Sequence, residues 1–310
     1  MITTVTLNAS IDKAYFMEKT IKNGTVMRVA SVRNSAGGKG LNVARTAKLC
    51  GAQVQATGFA GGYNGKYLQH LLTEDQIPHD FVEVEGETRS CINILDPGYH
   101  STEYLEPGFE LTVKDEQEFM ARFPAIIKDS TVVTISGSLP KGIQKDIYGR
   151  MIRTAKELGK KVLLDSSGDS LKHGLQALPT LVKPNQEELG ALFGAEINTI
   201  SDVITYGKQL YETGIPYVVV SLGKDGALLI CREGIFQGCP PKVEAINPVG
   251  CGDSLSGAFA VALERDKSPT EALQYAVSVA TAKAMSPNTG TFDPKQQEIL
   301  FGQITITKYE

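Results

Sequence analysis

The stretch Asn247-Pro-Val-Gly-Cys-Gly-Asp-Ser-Leu-Ser-Gly-Ala-Phe-Ala260 predicts a helix that begins in a glycine-rich turn. Gly250 and Gly252 allow the backbone to pass close to a ligand, and the small and apolar residues that follow are typical of a tightly packed helix. The first N–H groups of a helix lack partners within it and lie at the positive end of its dipole. The turn therefore suits a phosphate or a transferring phosphoryl group.

Asp253 directly follows this glycine turn. Its carboxylate would repel a bound phosphate, so complementary charge does not explain its position. Accepting a proton from a hydroxyl beside the phosphate does explain it. The stretch alone leaves open the alternative that Asp253 is an ordinary helix N-cap.

The two common phosphate-binding motifs are absent. Every Gly-Lys pair, at 38, 65, 159, 207 and 223, is followed by a residue other than Ser or Thr, which excludes a Walker loop. The next glycine after Gly252 is Gly257, so the dinucleotide fingerprint Gly-x-Gly-x-x-Gly is also missing. A dehydrogenase is therefore disfavoured.

Composition favours one large α/β domain that acts on small molecules. The 310 residues are 42% hydrophobic, and a net charge of −4 predicts no polybasic surface for nucleic acid or membrane. The sequence has no apolar run of about 20 residues, no signal-peptide pattern, no Cys-x-x-Cys and no His-x-x-x-His. We expect a cytoplasmic protein without disulfides or structural zinc. Cys251 lies at a helix start, where a thiol can have a lowered pKa, although filling a tight turn is the simpler interpretation.

A second glycine cluster lies in Ser35-Ala-Gly-Gly-Lys-Gly-Leu-Asn-Val-Ala-Arg-Thr-Ala-Lys-Leu-Cys-Gly51. Its three early glycines permit close backbone approach at a helix start, and Lys39 brings a positive charge to the same place. Gly51 fits the position just beyond the helix C-terminus. We expect a second anion site here, the alternative being a flexible loop with a solvated lysine.

Strands and helices alternate along most of the chain. The expected strands include 2–7, 53–59, 80–84, 132–138, 161–165, 181–185 and 217–222, with helices near 67–73, 144–158, 186–193 and 201–213. Unbroken apolar strands that alternate with helices indicate a mainly parallel sheet covered on both faces.

Polar residues follow several of these strands, where open α/β sheets bind ligands. Asn8 and Asp12 follow the first strand. Asn185 and Glu188 lie three residues apart at a helix start, and their oxygens suit Mg²⁺ or its waters. Ser221-Leu-Gly-Lys-Asp-Gly226 is a glycine turn suited to backbone contacts with a nucleotide. Taken singly, each is also a common α/β turn.

A hairpin interrupts the alternation. Thr88–Leu95 and Ser101–Glu106 flank Asp96-Pro-Gly-Tyr-His100, a turn signal between two β-runs. Paired with the segment after Asp12, this hairpin predicts a small lid, and Arg89 at its base is placed to reach an anionic substrate.

These features together resemble the PfkB branch of the ribokinase-like sugar kinases over essentially the full length. Gly37-Gly-Lys-Gly-Leu-Asn42, with Ala44, Gly51 and Gly61, matches the first family signature, and Asn247-Pro-Val-Gly-Cys-Gly-Asp253 matches the second. The sequence differs from the usual second signature at two positions. Cys251 replaces the usual Ala, Ser or Gly, and Asn247 replaces the Asp of many ribokinases, as in the hexose-phosphate subgroup.

The resemblance implies a single domain over 1–310 with a three-layer α/β/α fold, a mainly parallel central sheet and a small β-sheet lid formed from about 12–30 and 88–106. It implies MgATP and a sugar phosphate as substrates. The net charge predicts no nucleic acid or membrane partner. The oligomeric state is open at this point, and the exposed face of the expected lid offers one surface for a homodimer. Asp253 would be the catalytic base, and the N–H groups of Gly250, Cys251, Gly252 and Asp253 would form the anion hole.

The same resemblance assigns the other site residues. On the sugar side these are Asn8, Asp12, Gly38, Lys39, Asn42, Arg89 and Ser138, of which Lys39, Arg89 and Ser138 would hold a phosphate already on the sugar. On the nucleotide side they are Lys183, Asn185, Ser221, Leu222, Gly223, Lys224, Asp225, Gly226 and Asn288. Asn185 and Glu188 would organise Mg²⁺ through water.

The favoured substrate is tagatose 6-phosphate, on the basis of Thr88-Arg-Ser-Cys-Ile-Asn-Ile-Leu95 and the stretch around Gly37. Fructose 1-phosphate is the alternative, because Ser101-Thr-Glu-Tyr-Leu-Glu-Pro107 and Asn247-Pro-Val-Gly250 suit it equally. A catalytically silent sugar or nucleotide sensor on the same fold is the rival from another class. The intact Asp253 argues against a sensor, which needs no base.

Overall fold

The computed structural model describes residues 1–98 and 101–309. In chain order its strands are β1 (Ile2–Thr6), β2 (Ser10–Phe16), β3 (Ser31–Gly37), β4 (Val54–Gly61), β5 (His79–Val84), β6 (Arg89–Leu95), β7 (Ser101–Leu105), β8 (Val132–Ser136), β9 (Lys161–Asp165), β10 (Leu181–Val182), β11 (Tyr217–Ser221), β12 (Ala227–Cys231), β13 (Gly234–Cys239) and β14 (Thr305–Tyr309).

The helices of the same described residues connect these strands. They are α1 (Lys39–Leu49), α2 (Gly62–Glu74), α3 (Val113–Ile126), α4 (Ile147–Glu157), α5 (Gly168–Leu175), α6 (Gln186–Phe193), α7 (Ile200–Glu212), α8 (Cys251–Glu264), α9 (Pro269–Ala284) and α10 (Pro294–Phe301). Within the described ranges, no helix is long and apolar enough to cross a membrane.

The large sheet has the strand order β14-β13-β12-β11-β10-β9-β8-β1-β4-β5. The pairings from β5 through β11 are all parallel, and β12, β13 and β14 add an antiparallel edge. The expected mainly parallel sheet is confirmed. Parallel strands need helical crossovers, which is why strand and helix alternate in the sequence.

Helices cover both faces of this sheet, so the sheet is the middle of three layers and the helices form the two outer ones. The apolar faces of α1, α2, α8, α9 and α10 share one core cluster, and those of α3 to α7 share the other. Along β1, Ile2 belongs to the first cluster and Val5 to the second, because odd and even positions of a strand face opposite sides. The three-layer α/β/α fold is thereby confirmed.

A second sheet of four strands has the order β3-β2-β6-β7. Only three residues separate the end of β1 from the start of β2, so the small sheet continues from the carboxyl end of β1. Ser10 pairs with Gly37 on β3 and with Arg89 on β6. The small sheet therefore joins the start of α1 to the base of the hairpin.

Several local expectations differ from the structure. Strand β3 was not predicted, and segment 17–30, expected in the lid, carries neither helix nor strand. Asp12 lies within β2 rather than in a loop after β1. Strand β10 is short because Pro184 cannot donate to the ladder. Part of the predicted hairpin turn, Tyr99 and His100, lies outside the described residues.

Candidate active site

A cavity of about 1040 Å³ lies where the parallel strands β10 and β11 end and where α8 begins. Many of the residues expected at the site line it: Lys39, Lys183, Asn185, Glu188, Ser221, Gly223, Lys224, Asp225, Gly226, Gly250, Cys251, Gly252 and Asp253. The sequence motifs, which are spread over more than two hundred positions, thus meet around one space.

The glycine turn before α8 has the geometry of an anion-binding helix start. Gly250 is the residue that precedes the helix and has φ +83°. A side chain there would also come within 2.7 Å of Cγ2 of Thr289, so the site admits only glycine without rearrangement. Among the described residues, the N–H groups of Gly252 and Asp253 have no acceptor.

The Cys251 N–H differs from the expectation for an anion hole. It donates a 3.2 Å hydrogen bond to the carbonyl of Pro248, which closes the turn, so it is less available to a ligand than its neighbours. Burial also raises the pKa of the Cys251 thiol, against the lowered pKa that a helix start can produce. The thiol is therefore a small neutral side chain in a tight turn.

Asp253 lies in the first turn of α8 and is almost completely buried. Its Oδ2 accepts a 2.8 Å hydrogen bond from Nδ2 of Asn42 on α1. Burial and the nearby Asp165 raise the pKa of Asp253 to about 6, although Lys39 and the Asn42 hydrogen bond lower it. A carboxylate with such a pKa is ionised near neutrality and basic enough to accept a proton from a hydroxyl.

Two lysines flank Asp253 and share the carboxylate of Asp165. Nζ of Lys183 lies 3.1 Å from Oδ2 of Asp165, and Nζ of Lys39 lies 3.4 Å from its Oδ1. The Lys39 side chain is 41% exposed, whereas Lys183 and Asp165 are buried. Asp165 raises the pKa of Lys39, so the exposed ammonium is charged and available to an anion in the cavity.

The buried carboxylate of Asp165 belongs to the site, although the sequence analysis did not predict it as a site residue. Burial raises the pKa of its carboxyl, but Lys183 and Lys39 outweigh that and hold it below its usual range. Oγ of Ser256 on α8 donates a further 2.7 Å hydrogen bond to Oδ2. Asp165 is the last residue of β9, so the rule that ligand-binding residues follow parallel strands would have found it.

Asn185 and Glu188 form a capping box at the start of α6. Oδ1 of Asn185 accepts from the Glu188 N–H at 2.7 Å, and Oε2 of Glu188 accepts from the Asn185 N–H at 2.9 Å. Oε1 of Glu188 remains directed toward the cavity, 3.8 Å from Nζ of Lys39. Within residues 1–98 and 101–309, no three His, Cys, Asp or Glu side chains converge as metal ligands.

Asn8, Arg89 and Ser138 come together near the base of the small sheet. Nδ2 of Asn8 donates a 3.3 Å hydrogen bond to Oγ of Ser138, and the Arg89 guanidinium donates to the Asn8 carbonyl at 3.1 and 3.3 Å. Oδ1 of Asn8 is buried without a hydrogen-bond partner in the described part of the chain. A buried acceptor left unpaired is costly, and a substrate hydroxyl would satisfy it.

Asp12 lies on β2 with its carboxylate over Gly37 of β3. A side chain at Gly37 would come within 2.0 Å of Oδ1 of Asp12, which explains the glycine there. Oγ of Ser10 donates a 2.7 Å hydrogen bond to the same oxygen. Burial raises the pKa of Asp12, a direction that the Ser10 hydrogen bond opposes. Gly38, also expected at the site, starts α1 with φ +107°.

One side of the cavity is an apolar wall that the sequence analysis did not predict. Its residues are Cys239, Pro240, Pro241, Val243, Ala245, Leu255, Val277, Ala280 and Ala284. Two of the residues expected to bind the nucleotide, Leu222 and Asn288, do not line the cavity. The Leu222 side chain packs in the core, and Asn288 lies in the segment beyond α9, where its N–H bonds Oγ of Ser286.

Comparison with known proteins agrees with this geometry. The sequence model of the pfkB family carbohydrate kinases matches residues 5–296. The chain belongs to this family. As a pfkB family kinase it is a phosphotransferase that uses an alcohol group as acceptor. The resemblance of the two glycine signatures to this family is confirmed.

Individual relatives of this pfkB family kinase cover its whole length. Tagatose-6-phosphate kinase of Staphylococcus epidermidis is 36% identical over 309 residues, which make up 99% of each chain. Phosphofructokinase-2 of Escherichia coli in complex with potassium aligns with a TM-score of 0.92 at 30% identity, over 97% of this chain and 98% of that one. A possible 1-phosphofructokinase of Thermotoga maritima aligns with a TM-score of 0.92 at 27% identity, over 100% of both chains.

Proposed function

We propose that this kinase transfers the γ-phosphoryl group of MgATP to a hydroxyl of a ketohexose monophosphate, with tagatose 6-phosphate as the favoured substrate. The observation that carries the proposal is the buried Asp253 carboxylate beside the unpaired N–H groups that begin α8. A proton acceptor and an anion site are thereby adjacent, which in-line phosphoryl transfer to an alcohol requires.

Asp253 would accept the proton of the attacking hydroxyl. Its pKa of about 6 leaves it ionised at neutral pH, and the Asn42 hydrogen bond fixes its orientation. General base catalysis of this kind contributes about 10²–10⁴ in rate. The N–H groups of Gly252 and Asp253, with the Lys39 ammonium, would stabilise negative charge on the transferring group.

The cavity fits a nucleoside triphosphate. Its volume of about 1040 Å³ is sufficient, the apolar wall suits a base, and the Ser221–Gly226 turn offers backbone groups beside Lys224. Lys183 and Asn185 lie between that turn and α8 and would bind phosphate oxygens. Asn288 lies outside the cavity lining and would not contact the nucleotide.

Mg²⁺ would be held mainly by the nucleotide. Mg²⁺ bound to phosphates usually keeps several waters and takes only one or two carboxylates from the protein. The free Oε1 of Glu188, with Asn185 as its positioning partner, fits such a water-mediated role. Bound there, the ion would neutralise charge on the phosphates.

A phosphorylated sugar is favoured by the cluster of Asn8, Arg89 and Ser138. The Arg89 guanidinium is half-buried at the base of the lid and bonds only backbone carbonyls among the described residues, so its charge is not neutralised by a carboxylate contact. A sugar phosphate would supply that counter-charge. Asp12 and Asn42, on the inner side, would then bind sugar hydroxyls.

The choice of sugar phosphate has two candidates. The Staphylococcus epidermidis relative, named for tagatose 6-phosphate, spans 99% of this chain at 36% identity. The Thermotoga maritima structure, described as a possible 1-phosphofructokinase, favours fructose 1-phosphate as the second candidate. Both sugars carry a phosphate at one end and a free hydroxyl at the other, so either would pair its phosphate with Arg89 and present its hydroxyl to Asp253.

The deciding experiment measures ADP release from MgATP by the purified protein. Tagatose 6-phosphate, fructose 1-phosphate, fructose 6-phosphate and unphosphorylated tagatose are compared by kcat/KM. We expect turnover with one phosphorylated ketohexose at least tenfold above the others and above free tagatose. Equal turnover with free tagatose would contradict the phosphate site, and binding of ATP without turnover on any sugar would favour a sensor.

We also propose that the lid forms a homodimer. Val32, Tyr104 and Leu105 expose large apolar surface on the small sheet, Tyr104 and Leu105 at 60% and 63% exposure. Sedimentation velocity tests this with Leu105→Glu, and with Ile299→Glu on α10 as an exposed apolar control. A monomeric wild-type protein, or a dimer that Leu105→Glu leaves intact, would contradict the lid interface.

A further inference from the structure

Lys283 is a buried charged residue that the proposed chemistry leaves unused. It lies in the last turn of α9 and has no exposed surface. Its Nζ donates a 2.8 Å hydrogen bond to the carbonyl oxygen of Asn247. This carbonyl is its single hydrogen-bond partner in the described part of the chain.

Asn247 holds the turn that opens α8. Its N–H donates to the Ala284 carbonyl at 3.1 Å, and its Nδ2 donates to the Pro287 carbonyl at 3.0 Å. Its Oδ1 accepts from the Val249 N–H at 3.0 Å. With the Lys283 bond, the polar groups of Asn247 are all paired, and the residue fixes where the following glycine turn begins.

The Lys283 side chain runs beneath this turn. A side chain at Gly250 would lie 3.8 Å from Cε of Lys283, so the ammonium sits behind the residue that starts α8. The phosphoryl-binding N–H groups of Gly252 and Asp253 follow directly along the chain. A positive charge at this depth adds to the positive end of the helix dipole.

Burying the Lys283 ammonium costs free energy unless other interactions stabilise its charge. A lysine without a carboxylate contact loses its hydration on burial, and a side chain such as methionine would fill the same space without that cost. Burial lowers the pKa of Lys283, whereas the negative charge of Asp253 opposes that shift. A phosphoryl group at the helix start would favour the ammonium in the same way.

We propose that Lys283 is a positioning residue for phosphoryl transfer, whose buried ammonium holds the Asn247 carbonyl and places a positive charge behind the anion hole. The inference rests on the proposed function, because it concerns the same anion site. It predicts that Lys283 acts on the transition state and not on the binding of the sugar.

The first test replaces Lys283 by methionine, which keeps an unbranched side chain only one atom shorter and removes its charge. We expect kcat to fall about 10- to 100-fold, because a small displacement of the anion hole is costly in rate, while KM for the sugar phosphate stays within about twofold. Lys156→Met is the matched control, since Lys156 also bonds backbone carbonyls, of Ala177 and Leu178, far from the cavity. A folded Lys283→Met enzyme with wild-type kcat would overturn the proposal.

The second test separates charge from packing. Lys283→Ala leaves space for a small cation, so ammonium chloride should restore kcat at least fivefold, and sodium chloride at equal ionic strength should not. A purely structural role would respond to neither salt, and that result would overturn the proposal. If Lys283→Met fails to fold, Lys283→Gln replaces it, because glutamine keeps an N–H donor for Asn247 but no charge.

A binding measurement tests the role of Lys283 independently of which sugar is the substrate. Calorimetry with ADP and aluminium fluoride, which together mimic a transferring phosphoryl group, needs no sugar and no turnover. We expect Lys283→Met to bind ADP alone like the wild type and to bind the combination about tenfold more weakly. Equal binding of the combination would overturn the role of Lys283, whatever sugar the wild-type enzyme uses.

Discussion

Nδ2 of Asn42 on α1 donates a 2.8 Å hydrogen bond to Oδ2 of Asp253 on α8, although the two residues are 211 positions apart. The bond connects the two glycine-rich helix starts of the chain. It lowers the pKa of Asp253, against the burial that raises it. The pKa of Asp253, the proposed base, therefore depends on residues of both signatures. Substitutions in either signature can test it.

Replacing Asp253 by Asn should remove nearly all turnover and leave ATP binding intact. The amide cannot accept the hydroxyl proton, so we expect kcat to fall about 10²–10⁴-fold. Turnover assays and calorimetry with ATP measure the two effects. Asp129→Asn, on an exposed residue away from the cavity, is the control. An unchanged kcat in Asp253→Asn would rule out Asp253 as the base.

The pH dependence of kcat/KM should show an acid limb near pH 6. Asp253 must be ionised to accept a proton, and its pKa of about 6 places the loss of activity below that pH. Asn42→Ala removes a hydrogen bond that lowers this pKa, so the limb should move to higher pH. A limb at the same pH in both enzymes would contradict the coupling of Asn42 to Asp253.

The stability of Asp253→Asn relative to wild type should increase with pH. The pKa of Asp253 is raised in the folded state, so its stabilising contribution is present at low pH and is lost as pH rises through about 6. The substitution should therefore gain about 1.4 kcal/mol relative to wild type between pH 5 and pH 8. Urea unfolding at both pH values measures this, and a difference independent of pH would contradict the buried carboxylate.

Replacing Gly250 by Ala should destabilise the fold and slow catalysis. Gly250 has φ +83°, and a Cβ would approach Cγ2 of Thr289 to 2.7 Å. Gly159→Ala is a matched control, because Gly159 has φ +72° but nothing within 4 Å of a Cβ. We expect Gly159→Ala to cost about 1 kcal/mol of unfolding free energy and Gly250→Ala about 1–3 kcal/mol more. Similar losses in chemical denaturation would contradict the tight contact with Thr289.

Replacing Arg89 by Lys should weaken binding of the sugar phosphate. Lysine retains the charge but loses the planar fork that suits a phosphate. We expect KM for the phosphorylated sugar to rise about 10- to 100-fold and kcat to change little. Arg232→Lys, on an exposed residue in the turn between β12 and β13, is the control. An unchanged KM would show that Arg89 only holds the lid to the Asn8 carbonyl.

The sequence by itself determined the main elements of the fold. Alternating apolar strands and helices predicted the parallel sheet, and the glycine clusters predicted the helices that begin at Lys39 and Cys251. These features are local, because glycine, proline and the period of apolar residues act on backbone conformation within a few positions. The end of α1 at Gly51 and the hairpin of β6 with β7 followed from the same kind of signal.

The tertiary structure alone decided which charged residues meet. Asp165 contacts Lys39 across 126 positions and Ser256 across 91, pairings that depend on strand order and carry no local pattern. Strand β3 is largely polar and exposed, so pairing with β2 creates it. Lys283 has the least sequence signal of all, since a lysine at a helix end is normally solvated. Its burial behind the α8 turn results from the packing of α9 against α8, a contact that no short stretch of sequence encodes.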